Sequence, residues 1–64
     1  MKVEKLTNGQ HVVTHENLEL TQTIINGQKY NECTVKHESY TEIVPPHDER
    51  FKPLFIALYQ YKYN

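Results

Sequence analysis

The sequence predicts a mainly β protein: a small antiparallel meander or barrel of about five to six short strands with two Asn-Gly hairpins. Three observations carry this. Asn8-Gly9-Gln10 recurs as Asn26-Gly27-Gln28, eighteen residues on. Asn-Gly between alternating segments is the strongest short-range hairpin signal, because the tightest hairpin turns need positive φ at both central residues. The flanking segments alternate apolar and polar residues, as a half-buried sheet requires. At 64 residues the chain is a single small domain. A domain of this size buries only about 60% of its unfolded surface.

Taken in order, strands are predicted near Lys2–Thr7, Gln10–His15, Leu18–Ile25, Gln28–His37 and Tyr40–Val44. In the first hairpin, a three-residue Thr7-Asn8-Gly9 loop with Gly9 in a bulge pairs Val3 with Val13. That register groups apolar residues better than a two-residue loop, which pairs Glu4 with Val13. Glu16-Asn17 is a short break, so the second and third strands are expected to be antiparallel neighbours as well. The second hairpin fixes its own register. A two-residue Asn26-Gly27 loop pairs Ile25 with Gln28, which carries Leu20 opposite Cys33 and Leu18 opposite Val35. Glu19, Thr21, Thr23, Tyr30, Glu32 and Thr34 then share the other face, so one side is core and the other is wet. Pro45-Pro46 ends the fifth strand, since proline cannot donate to a ladder. His47–Lys52 reads as a polar connection or a single helical turn.

Pro53–Tyr63 supports two readings. As a strand, Phe55, Ala57, Tyr59, Tyr61 and Tyr63 share a face, and the alternation in Tyr59-Gln60-Tyr61-Lys62-Tyr63 is strict. Tyrosine also favours strands. Lys52 is a poor N-cap and no acid follows in the first turn, which counts against a helix. As a helix, Pro53 suits the first turn, and Phe51, Leu54, Phe55, Leu58 and Tyr61 form a stripe. The strand reading closes the sheet or packs it on a second copy. The helix reading gives the alternative α+β architecture, with a C-terminal helix over the sheet.

Composition narrows the function classes. The net charge is −1 with histidine neutral, so neither a basic nucleic-acid footprint nor an acidic nucleic-acid mimic is expected. Cys33 is the only cysteine, and neither a signal-peptide pattern nor an apolar run long enough to span a membrane occurs. The expectation is a reducing cytoplasmic compartment without membrane association. Alanine, serine and arginine each occur once (Ala57, Ser39, Arg50), whereas lysine, asparagine, tyrosine and threonine are common. That bias fits an AT-rich genome, such as a low-GC bacterium or its phage.

Chemical constellations are sparse. His11 and His15 lie four apart in a strand, which separates them by roughly 13 Å, too far for one ion with bonds of about 2 Å. Cys33 faces the predicted core opposite Leu20 and reads as a buried structural thiol. His47-Asp48-Glu49-Arg50 is a polar cluster that could ligate a cation or touch a partner, and that a solvated loop would also explain. Ser39 lacks a glycine elbow, and no glycine-rich phosphate loop is present. No catalytic residue, metal ligand or cofactor is therefore assigned, and a non-enzymatic role is expected.

The suggestive feature is the aromatic row Phe55, Tyr59, Tyr61 and Tyr63. Core and cross-strand packing with hydroxyls at the solvent edge would account for it; tyrosine is also enriched in protein interfaces and contributes their hot spots. The expected function is a small protein-binding accessory or regulatory factor, of the phage or mobile-element type, acting on another protein or on a second copy of itself. Two alternatives use the same features: a single-stranded nucleic-acid module that stacks bases on the tyrosines, and a structural subunit of a symmetric oligomer. The nucleic-acid alternative is the less favoured, because Lys52 and Lys62 are the only nearby cations.

Overall fold

The computed structural model describes residues 1–63. Five strands, β1 (Lys2–Lys5), β2 (His11–His15), β3 (Leu18–Ile25), β4 (Gln28–Lys36) and β5 (Thr41–Val44), precede one helix, α1 (Phe51–Tyr63). The strands form a single antiparallel sheet in the order β1-β2-β3-β4-β5. The sheet stays open and does not close into a barrel. The C-terminal segment is the helix of the α+β alternative.

Turn chemistry sets the registers. Leu6 N–H donates to the Gln10 carbonyl at 2.8 Å and Gly9 N–H to the Leu6 carbonyl at 3.0 Å. This closes the three-residue loop and places Val3 opposite Val13. Gly9 sits at φ +89°, the left-handed bulge position that only glycine adopts freely. Asn26 and Gly27 both take positive φ, +52° and +79°, so the tip is of the two-residue type and Ile25 faces Gln28. The Glu16-Asn17 turn joins β2 to β3 with His15 opposite Leu18. It is pinned to the next strand, since Asn17 exchanges backbone and side-chain hydrogen bonds with Lys36.

These registers align Val3, Val13, Leu20, Cys33 and Val44 across the five strands on one face. Leu20, Val13 and Cys33 are at most 1% exposed. The open face carries the polar set read from the sequence, with Glu32 and Tyr30 exposed and the threonines half-buried.

The uncovered apolar row explains the helix. A 13-residue helix is marginal alone, but Phe51, Leu54 and Leu58 lie on the row and are buried with it. Each such side chain contributes roughly 1.5–3 kcal/mol on burial, which outweighs the strand preference of the tyrosines. The N-terminus is also capped, at a residue earlier than Lys52. The Asp48 carboxylate accepts the Arg50 backbone N–H at 2.9 Å, and the Asp48 carbonyl accepts Phe51 N–H at 3.1 Å. Asp48 therefore acts as N-cap to a tight first turn that leads into the regular helix. Pro53 falls where the missing N–H has no intrahelical partner to lose. Lys62 in the last turn complements the helix dipole.

Candidate functional site

Helical periodicity redistributes the aromatic row. Phe55, Tyr59 and Tyr63 stand four apart and share one flank of α1. Tyr59 and Tyr63 are tilted against each other with ring centroids 4.7 Å apart. Phe51 and Phe55 stack at 6.1 Å. Ile56 lies beside them. Phe55 is 40% exposed, Ile56 45%, Tyr59 60% and Tyr63 62%. Tyr61 does not join the group. Two residues on a helix differ by about 200° in direction, so Tyr61 leaves that flank and meets His11 edge-on at 6.0 Å. The common face of Tyr59, Tyr61 and Tyr63 belonged to the strand reading, and the docking of Leu54 and Leu58 removes it.

Below that flank lies an open groove of about 750 Å³. Phe51, Lys52, Phe55 and Ile56 of α1 form one wall, and Lys29, Tyr30 and Asn31 of β4 form the other. Pro46 through Glu49 close the end. The groove exists because β5 stops at Val44, pairing only Cys33–Lys36 of β4, and Pro45-Pro46 then carries the chain away. Sequence reasoning missed Lys29, Asn31, Phe51 and Ile56 as site residues. The available signal was the mismatch between a proline-terminated fifth strand and a long fourth strand.

The polar cluster after the prolines is organised by Arg50. Its guanidinium bonds Asp48 through Nε at 3.1 Å and Nη2 at 2.9 Å, and Glu42 of β5 through Nη2 at 2.7 Å. Glu42 also lies 2.9 Å from His37 Nε2, and the His37 ring stacks on Tyr40 at 4.5 Å. The Arg50 hydrogen bond, then that of His37, holds the Glu42 carboxyl down at about 2. Hydrogen bonds from the Arg50 side chain and backbone do the same for Asp48, also at about 2. The cluster ties the start of α1 to the sheet edge. These acids are engaged within the chain, and among the described residues no group of three or more His, Cys, Asp or Glu side chains could hold a metal.

A second polar cluster sits beneath the end of α1. Gln22 is 3% exposed; it donates to Asn31 Oδ1 at 2.9 Å and accepts from Lys62 Nζ. His11 lies opposite Gln22 on the same face, and its Nδ1 is buried without a hydrogen-bond partner. Burial lowers the His11 pKa, reinforced by Lys62 and then Lys5. His15, on the same strand, is exposed. Cys33 is 1% exposed between Leu20 and Val44, and burial raises its thiol pKa. The structural-thiol reading of Cys33 agrees with this placement.

Comparison with known proteins finds no matching family model, no matching curated protein and no matching solved structure.

Proposed function

We propose that this domain is a small non-enzymatic protein-binding factor whose contact surface is the outer flank of α1: Phe55, Ile56, Tyr59 and Tyr63. The observation that carries this reading is the exposure of four large apolar or aromatic side chains on one flank. They are contiguous with the groove that Phe55 and Ile56 line. Aromatic anchors beside a concavity are what interface hot spots require. In a marginal core of this size, leaving such side chains outside is costly in lost burial. Tyr61, also half-exposed, lies off this flank edge-on to His11 and is left out of the surface.

The residue bias fits a low-GC bacterium or its phage, and within the proposal the domain regulates or inhibits a host protein. A base-stacking role has less support. Lys62 is turned to Gln22, and Tyr59 and Tyr63 already pack on each other.

The test is affinity capture from lysate of a low-GC host. Wild type is run beside Phe55→Ser/Tyr59→Ser/Tyr63→Ser and beside Tyr61→Ser. One protein captured stoichiometrically, lost with the triple variant and kept with Tyr61→Ser, is the expected result. Capture unchanged in a folded triple variant refutes the surface assignment.

A further inference from the structure

β4 has nine residues and β5 has four. Beyond Cys33, the Gln28–Glu32 stretch of β4 pairs with β3 on one side and with no strand on the other among the described residues. Such an edge, roughly 17 Å long, is a template for another strand.

The hairpin tip fixes which groups face the open edge. A two-residue loop makes Ile25 and Gln28 a doubly hydrogen-bonded pair, and alternation then does the same for Thr23–Tyr30 and Thr21–Glu32. The N–H and C=O groups of Lys29 and Asn31 consequently point away from β3. The same two residues line the groove opposite Phe51, Phe55 and Ile56. Two donors and two acceptors thus stand open along the sheet-edge side of a groove whose other side carries Phe51, Phe55 and Ile56 of α1. The charges are unequal. Lys29 and Lys52 have no ion-pair partner among the described residues, while Asp48 is held by Arg50. Glu49 alone opposes the two lysines among the groove's uncommitted charges.

We propose that the groove takes an extended segment of a partner protein, which adds as a strand to β4 at Lys29–Asn31. An apolar side chain of that segment lies against Phe51, Phe55 and Ile56, and a carboxylate lies near Lys29 or Lys52. The segment occupies the track that β5 leaves at Pro45. Strand addition draws affinity from main-chain hydrogen bonds and selectivity from alternate side-chain contacts. A second copy of this chain fits poorly. If two Gln28–Glu32 edges paired about Tyr30, the side chains laid into the groove would be Lys29 and Asn31 of the other copy, neither apolar nor acidic.

The inference rests on the protein-binding reading but adds a second wall and a backbone contact mode. It is tested by panning the full chain against a random decapeptide display, then synthesising the enriched peptides with and without N-methylation at alternate residues. Enrichment of extended sequences combining apolar and acidic residues is expected. Affinity should fall roughly tenfold or more on N-methylation in one alternating phase, the loss of one to two net main-chain hydrogen bonds. Lys29→Pro should weaken binding similarly, and it spares the β3 ladder because the Lys29 N–H does not point there. Amide resonances of Lys29 and Asn31 should shift on titration.

Failure to enrich any peptide, or enriched peptides indifferent to N-methylation in both phases, overturns the inference; Lys29 is then only a guard on an exposed edge. A natural partner lost with Phe55→Ser/Tyr59→Ser/Tyr63→Ser but fully retained by Lys29→Pro also overturns it, and leaves the protein-binding reading standing.

Discussion

Truncating two residues of α1 two positions apart separates the helical arrangement from its strand alternative. Leu58 is 1% exposed in the shared core with Val13 and Leu20, whereas Ile56 is 45% exposed. In a strand the two would share a face and cost alike on truncation. In the helix, Leu58→Ala removes fully buried atoms and leaves a cavity, which costs about 2–5 kcal/mol. A chain of this length has a total stability of roughly 3–10 kcal/mol at typical values per residue. The variant therefore forfeits a large part of it, and its Tm falls by about 15–40 °C. Ile56→Ala removes half-solvated surface and should stay within about 1 kcal/mol of wild type. Urea unfolding followed by far-ultraviolet circular dichroism, with matched m-values, measures both. Equal losses for the two variants, or a Leu58→Ala loss below about 1 kcal/mol, would refute the packing described for α1.

Three further outcomes are expected. Glu16 holds φ +56° without glycine's freedom, so Glu16→Asn should gain about 0.5–1 kcal/mol, read as a higher urea midpoint. Acidification should cost stability in two stages. The lowered His11 pKa means the unfolded chain takes up the proton first, so stability falls as pH drops below 6.5. A second loss follows below about 4.5 as Glu42 and Asp48, held near 2, compete with unfolded carboxyls for protons. Thermal melts across that range check this, and His11→Phe should abolish the first stage alone. Buried Cys33, with its raised thiol pKa, should react with Ellman's reagent only as fast as the chain opens. A rate independent of urea below the transition and close to that of free cysteine would contradict its placement.

The sheet was legible because its signals are local. Asn8-Gly9 and Asn26-Gly27 dictate loop lengths through backbone φ, loop lengths dictate register, and register places Leu20 opposite Cys33 with no need of distant information. The form of Pro53–Tyr63 was not local. Tyr59, Tyr61 and Tyr63 alternate as a strand would, and the cap that starts the helix is Asp48, four residues before the lysine where a cap was sought. What decides the matter is the bare row from Val3 to Val44, which needs a cover that only Phe51, Leu54 and Leu58 supply. The candidate site inherits this. Phe55, Tyr59, Tyr61 and Tyr63 were grouped by the alternation of a strand; the helical period keeps Phe55, Tyr59 and Tyr63 on one flank and turns Tyr61 away from it. Lys29 and Asn31 entered only because β5 ends early, and the crossing of α1 then makes a wall opposite them.

The meander joins each strand to its predecessor, so its pairings stay between sequence neighbours, the widest running from Leu18 to Val35. Helix α1 is the exception, since it returns across the sheet to β1, β2 and β3. During synthesis the strands leave the ribosome first, and the Val13–Leu20–Cys33 row waits in water until Leu58 has emerged. Through that interval the nascent chain is a sticky half-molecule with one greasy side. A stop codon anywhere after Val44 and before Leu54 should accordingly yield a product that is cleared by proteases or precipitates, although every strand is present.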